Sequence, residues 1–331
     1  MGLMADKVNV AVIGVGRLGS AHARVYRGLA QANLIGVCDI EKSRALSTAE
    51  SLQTQPFTDY RNLLDKVQAV SISTPTVTHH RIARDFLLAG VNVLVEKPFT
   101  ATLKEADDLL KIAKKNKLLV QVGHIERFNS AFAAIKHTLS QPKFIEVHRL
   151  SGFPGRSLDV GVVLDLMIHD IDIILGLVNS PLKRIEAVGI NVITDYEDIA
   201  NARLTFKNGC VCNLTASRIS DESMRKIRIF LKNTYISLDY KNEEADIYRK
   251  VGDQPEGIAC LPGRQGLASN SQSQKITKES VWVKKEEPLK KELSSFLDCV
   301  IRKNRPLVSG IEGRQALAVA LKIQNLIWKK R

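Results

Sequence analysis

Cysteine is scarce in this chain of 331 residues: five, at positions 38, 210, 212, 260 and 299, too scattered for a disulfide framework. Cys210 and Cys212 would face the same side of a strand, but no second pair completes a metal site, so no metal is expected and the chain reads as a reduced, cytoplasmic protein. No apolar run approaches the roughly 20 residues that span a bilayer. Residues 1–6 carry neither a basic stretch nor a long apolar one, so no secretory signal is expected, and Asp6 stands where myristoylation wants Ser or Thr. Aromatic-interleaved basic stripes, nucleic-acid motifs and internal repeats are absent as well. Together these gaps leave neither a membrane nor a nucleic acid as an expected partner.

What is abundant is positive charge: 48 Lys and Arg against 35 Asp and Glu, a formal net charge of +13. It is spread along the chain, with modest clusters at 111–117, 284–291 and 329–331. Solvated lysines on helix faces account for most of it, and the excess also suits anionic ligands such as a pyrophosphate. A hydrophobic fraction of 44% and a charged fraction of 25% are those of a globular protein, and the length suits about two domains.

Residues 1–124 alternate short apolar runs with amphipathic stretches. Strands are predicted at 8–13, 34–38, 69–73, 91–95 and 118–122, and helices at 17–29, 42–52, 79–89 and 102–116. Such alternation predicts a doubly wound parallel sheet covered on both faces. Thr102-Leu103-Lys104-Glu105 reads as a capping box. Beyond 125 the rhythm changes: a helix at 129–139, a strand at 143–150, a loop at 152–161 and a helix at 162–177. Alternating runs at 183–193, 199–207, 210–218, 225–231 and 234–239 follow, with a hairpin signal at Asn208-Gly209. This predicts a second, α+β domain with an open, mostly antiparallel sheet. Residues 251–280, rich in Gly, Ser, Gln and Asn, read as a surface loop, and helices at 288–302 and 312–328 close the chain.

Gly14-x-Gly16-x-x-Gly19 lies between a strand and a helix, and Asp39 ends the next strand 20 residues beyond Gly19. That context makes it a dinucleotide fingerprint. Gly14 permits the tight turn, Gly16 lets the backbone approach a pyrophosphate at the helix N-terminus, and Gly19 lets helix and strand pack closely. Asp39 suits the adenine ribose hydroxyls and would repel a 2′-phosphate, which favours NAD; Lys42 and Arg44 lie near enough to leave NADP possible. Ser73-Thr74-Pro75 would line the nicotinamide ribose, or simply turn the chain.

Two further features carry chemistry. Lys97, in Glu96-Lys97-Pro98, sits at the carboxyl end of a strand, where a substrate hydroxyl would meet the nicotinamide. The helix at 162–177 is apolar almost throughout, yet holds Asp165, His169 and Asp172 at i, i+4 and i+7, on one face, with Asp170 pointing elsewhere. Buried charges are costly unless paired. A carboxylate one turn from an imidazole can orient it for taking a hydroxyl proton, and Lys97 could stabilise the alkoxide; a satisfied core histidine is the bland alternative.

The fingerprint at 14–19, Thr74-Pro75 with His79, Glu96-Lys97-Pro98 and Asp165-x-x-x-His169 stand in the order typical of the glucose–fructose oxidoreductase / inositol dehydrogenase (Gfo/Idh/MocA) family. The chain resembles that family over nearly its whole length, including Glu287-Pro288-Leu289 and Pro306-Leu307-Val308-Ser309-Gly310. The resemblance implies a Rossmann domain at 1–124 and a substrate and oligomerisation domain at 125–331, with helices 288–328 packing back on the first. It implies a homodimer or homotetramer. It adds Arg17, Leu18, His79, Glu96 and Lys97 to the cofactor site, and makes Lys97, Asp165 and His169 catalytic, with His169 the base and Lys97 the hydroxyl-binding cation. One departure is Met167, where the family commonly has glycine.

Residues 122–129 and 159–170 resemble most a bacterial subgroup similar to UDP-N-acetylglucosamine 3-dehydrogenases, which oxidise the sugar 3-hydroxyl to a ketone. That likeness places His124, Arg127, Asn129 and Arg156 with the substrate. Arg127, Arg149 and Arg156 would then meet its diphosphate, or serve as surface charge or ion-pair partners. The expected function is therefore an NAD-dependent oxidoreductase acting on a secondary hydroxyl of a sugar or nucleotide sugar. A free sugar or inositol dehydrogenase, an NAD-binding regulator without turnover and an NAD-assisted glycosidase are its rivals.

Overall fold

The computed structural model describes residues 7–153, 160–250 and 276–329. Arg156, the 1–6 segment and most of the expected 251–280 loop lie outside them. The chain divides into two compact units, Met1–Phe128 with Glu286–Leu321, and Asn129–Lys285 with Lys322–Arg331.

The first unit runs β1 (Val8–Ile13), α1 (Arg17–Gly28), β2 (Ala32–Cys38), α2 (Lys42–Leu52), β3 (Gln55–Phe57), β4 (Ala69–Ile72), α3 (Thr76–Leu88), β5 (Asn92–Glu96), α4 (Leu103–Asn116) and β6 (Val120–Gly123). The sheet order is β3-β2-β1-β4-β5-β6, and every pairing is parallel. The near-continuous burial of β1, β4 and β5 is what a sheet covered on both faces requires. One core joins Ile82, Phe86 and Leu109 to one face of the sheet, and another joins Tyr26, Leu293 and Phe296 to the other. The order reverses between β1 and β4, which opens a crevice at their carboxyl ends. The Thr102–Glu105 capping box forms in both directions. β3 carries no sequence signal because three residues, two exposed and one half-buried, show no period; pairing with β2 makes them a strand.

The second unit holds α5 (Ser130–Ile135), β7 (Phe144–Leu150), a π-turn (Val163–Met167) running into α6 (Ile168–Val178), then β8 (Leu182–Ile190), β9 (Ile199–Phe206), β10 (Val211–Ser217), β11 (Met224–Leu231), β12 (Thr234–Asp239), β13 (Glu244–Lys250) and β14 (Ile276–Val281). They form one sheet, β14-β13-β12-β11-β7-β10-β9-β8, in which only β7 and β10 pair in parallel. Alternate residues such as Val147, Leu214 and Ile229 are buried on one face, where the π-turn lies over β10 and α5 over β12 and β13. Gly209 takes φ +84° and closes the β9–β10 hairpin that Asn208-Gly209 signals.

Three expectations need correcting here. The helix expected at 129–139 ends at Ile135 and continues as a 3₁₀ turn, Lys136–Thr138. Residues 276–280, expected in a loop, belong to β14: it is a polar, mostly exposed edge strand, held by β13 rather than by an apolar pattern. The helix expected from 162 opens with a π-turn, closed by the Ile168 N–H on the Val163 carbonyl. Two helices close the chain, α7 (Pro288–Arg302) and α8 (Gly310–Trp328). No described helix is long and apolar enough to cross a membrane.

Candidate active site

The candidate cofactor site is built on the first unit, at the crevice between β1 and β4. Gly14 takes φ +82°, and a Cβ there would lie 2.7 Å from the Ser73 carbonyl oxygen and the Thr74 methyl. Gly19 faces the same turn, since a Cβ on it would fall 1.8 Å from the Gly14 carbonyl oxygen. Gly16 is different. It precedes α1 without a side-chain cap, and open space surrounds the place of its missing Cβ. An uncapped helix N-terminus facing open space beside a glycine fits a pyrophosphate. Gly19→Ala should therefore push helix from strand, weakening NAD at least tenfold in a fluorescence titration.

Asp39 is buried and holds the fingerprint loop itself: Oδ2 accepts the Val15 N–H at 2.9 Å and Oδ1 the Glu41 N–H at 2.9 Å. Arg44 Nη1 lies 3.2 Å from both oxygens. Beside it Ile40 is 94% exposed, an apolar side chain available to an adenine ring. Arg17 and Leu18 are exposed at the start of α1, Ser73 and Thr74 are half-buried, and Pro75 is exposed.

His79 is buried and joins the two turns that follow β4 and β5. Its Nε2 lies 2.8 Å from the Thr74 carbonyl oxygen, and its Nδ1 3.0 Å from that of Pro98. Burial pulls its proton affinity below the ordinary value, against the carbonyls and Glu96, which favour the proton.

Lys97 follows β5, half-buried, with a cis peptide to Pro98. Its N–H donates to Glu96 Oε2 at 3.2 Å. The other oxygen, Oε1, is 3.1 Å from Nε2 of His22, which is fully buried on α1. Burial pushes the Glu96 carboxyl up, but His22 and Lys97 outweigh it and hold the pKa below the ordinary carboxylate value. Gly123 makes room, because a Cβ there would meet the same carboxylate at 2.6 Å. His22 escaped the sequence reading; its only local signal is a polar residue on the buried face of the helix that follows the fingerprint.

On this unit His124 is buried and Arg127 half-buried. On the second unit, Asn129 caps α5 by accepting the Ala131 N–H at 3.0 Å, and donates from Nδ2 to the Tyr240 carbonyl at 3.1 Å.

Asp165 lies within the π-turn and His169 in the first turn of α6, both half-buried, while Asp172 is buried. More residues complete each turn of a π-helix, so residues four apart fall more nearly in line than in an α-helix. Asp170 does point elsewhere: it takes Arg149 in a buried two-pronged pair, Nε–Oδ2 2.7 Å and Nη2–Oδ1 2.8 Å. Of the two roles open to Arg149, the structure gives it the ion pair. Among the described residues, no group of His, Cys, Asp and Glu is placed to hold a metal.

Comparison with known proteins gives a consistent result. Residues 8–124 match the model of the GFO/IDH/MocA oxidoreductase family with its NAD-binding Rossmann fold, and residues 130–237 match the C-terminal domain model of that family. The chain is 37% identical to UDP-N-acetylglucosamine 3-dehydrogenase of Acidithiobacillus ferrooxidans over 96% of each protein. The solved structure of that enzyme superposes with a TM-score of 0.87, covering 97% of both chains. The scyllo-inositol 2-dehydrogenase (NAD(+)) of Bacillus subtilis is 30% identical over 66% of this chain and 69% of its own. A levoglucosan dehydrogenase solved with NADH and levoglucosan shares the fold, with a TM-score of 0.84 at 18% identity over 98% of each chain.

Proposed function

This chain belongs to the GFO/IDH/MocA oxidoreductase family, and we propose that it oxidises the 3-hydroxyl of UDP-N-acetylglucosamine with NAD. One observation carries the substrate: the likeness to the UDP-N-acetylglucosamine enzyme runs over 96% of both chains, whereas that to the inositol enzyme stops at about two thirds. Bound NAD supplies the hydride acceptor. In this reading the first unit holds the cofactor through the fingerprint, Asp39 and the turns at Ser73-Thr74-Pro75 and Glu96-Lys97, and the second unit holds the sugar. His169 takes the hydroxyl proton, Asp165 orients it, and Lys97 stabilises the oxygen as negative charge develops there. Arg127 and His124 meet the nucleotide part. The enzyme works as a homodimer or homotetramer in the cytoplasm.

NADH formation tests this, with purified protein, NAD and UDP-N-acetylglucosamine, and a carbonyl trap to draw off the ketone. Free sugars and inositols run in parallel. NADH with the nucleotide sugar alone is the expected result. NADH with a free polyol instead overturns the substrate and keeps the hydride chemistry.

A further inference from the structure

We propose that Glu197, far in sequence from every motif, is a positioning residue for the segment that carries Asp165 and His169. The inference rests on the reading that those two side chains handle the substrate proton. Glu197 is fully buried in the second unit. Its carboxylate lies where Gly161 has no side chain: a Cβ on Gly161 would fall 2.0 Å from Oε1. From there Oε1 accepts the Val163 N–H at 3.4 Å, the first amide of the π-turn. The Glu197 carbonyl accepts the preceding amide, Val162, at 2.8 Å. Two side chains of the last turns of α8 hold the carboxylate in place: Gln324 Nε2 donates to Oε1 at 3.4 Å and Trp328 Nε1 to Oε2 at 3.1 Å.

The next residue extends the clamp. Asp198 accepts the N–H groups of Val192, Ile193 and Thr194 and pairs with Arg218, Nε–Oδ1 2.9 Å, both side chains fully buried. Arg218 in turn donates from Nη1 to the Val160 carbonyl at 2.8 Å. Backbone groups at 160, 162 and 163 are thus all held by the Glu197-Asp198 pair or by Arg218.

A buried carboxylate is costly unless donors surround it, and a helix N-terminus supplies donors and positive potential. Here the donors lie at the start of the π-turn, two residues ahead of Asp165. The first amides of any helical turn find no partner within the turn, and here a buried anion from another segment supplies one. Glu197 thus fixes where the turn that carries Asp165 begins, ahead of His169 in the first turn of α6.

The test uses the full-length protein. Glu197→Ala is expected to lower kcat roughly 10- to 100-fold, as a displacement of about 1 Å does. The NAD dissociation constant should stay within about twofold, and amide exchange over 160–168 should accelerate. Trp328→Phe keeps an aromatic ring, though a smaller one, and removes one donor; it should show the same signature at smaller size, and it stands in where the alanine variant fails to fold. Glu197→Gln turns an amide donor towards the Trp328 N–H, so adding Trp328→Phe to it should restore part of the lost kcat. Unchanged kcat and exchange in a folded variant overturn the assignment, as do equal losses of kcat and NAD affinity. His169→Ala is run alongside: if it keeps full activity the acid–base reading falls, while the exchange measurement still decides whether Glu197 holds the turn.

Discussion

Lys97→Ala is expected to cut kcat roughly 100- to 1000-fold while the NAD dissociation constant changes less than about twofold. The size is that of removing one donor aimed at a developing oxyanion, about 2.7–4 kcal/mol. The asymmetry follows from where the residue sits. The fingerprint loop and Asp39 are built by β1, α1 and β2, where the Val15 and Glu41 amides hold the Asp39 carboxylate, whereas Lys97 follows β5. Its backbone is separately fixed: the Lys97 N–H is held by Glu96, whose carboxylate is set by His22 and by the space at Gly123. Truncating the side chain therefore removes a charge from a turn that keeps its shape. Steady-state kinetics with a parallel NAD titration checks this, and full activity in the variant would make the assignment of Lys97 wrong.

A second large effect should appear in stability rather than in substrate binding. Arg149→Met is expected to destabilise the second unit by about 3–5 kcal/mol, because it removes the cation that balances a buried carboxylate. Both side chains of the Arg149–Asp170 pair are almost wholly buried, at 5% and 3% exposure. For a unit of this size the melting temperature should drop roughly 10 °C. The alternative once open to Arg149, a diphosphate contact, predicts the opposite pattern: a raised KM for the nucleotide sugar and an unchanged melting curve. Calorimetry and kinetics on one variant separate the two.

The contrast between Lys97 and Arg149 shows how far the residues speak for themselves. Val8 to Asp39 was legible because each signal is local. A parallel strand buried on both faces is a continuous apolar run, and the three glycines are demanded by contacts within one β-α turn. The Thr102–Glu105 box and the Asn208-Gly209 hairpin were legible for the same reason. β3, β13 and β14 were not, being short or polar strands whose identity comes from a neighbour across the sheet. The π-turn at 163–167 has an apolar helical sequence, and only its wider hydrogen bond, from the Ile168 N–H to the Val163 carbonyl, distinguishes it.

The site divides along the same line. By itself the sequence determined the dinucleotide fold, the alternation of the two sheets and the chemical types at 97, 165 and 169, since these depend on period and on spacing within one element. Tertiary structure alone decided which charges are already taken. Arg149 meets Asp170 across 21 residues of chain, and His22 is brought to Glu96 from a different element. Glu197 reaches Val163 across 34 residues, into a gap left by a glycine. Pairings of this kind are set by the packing of distant elements, and a buried charge is stable only where that packing delivers its partner.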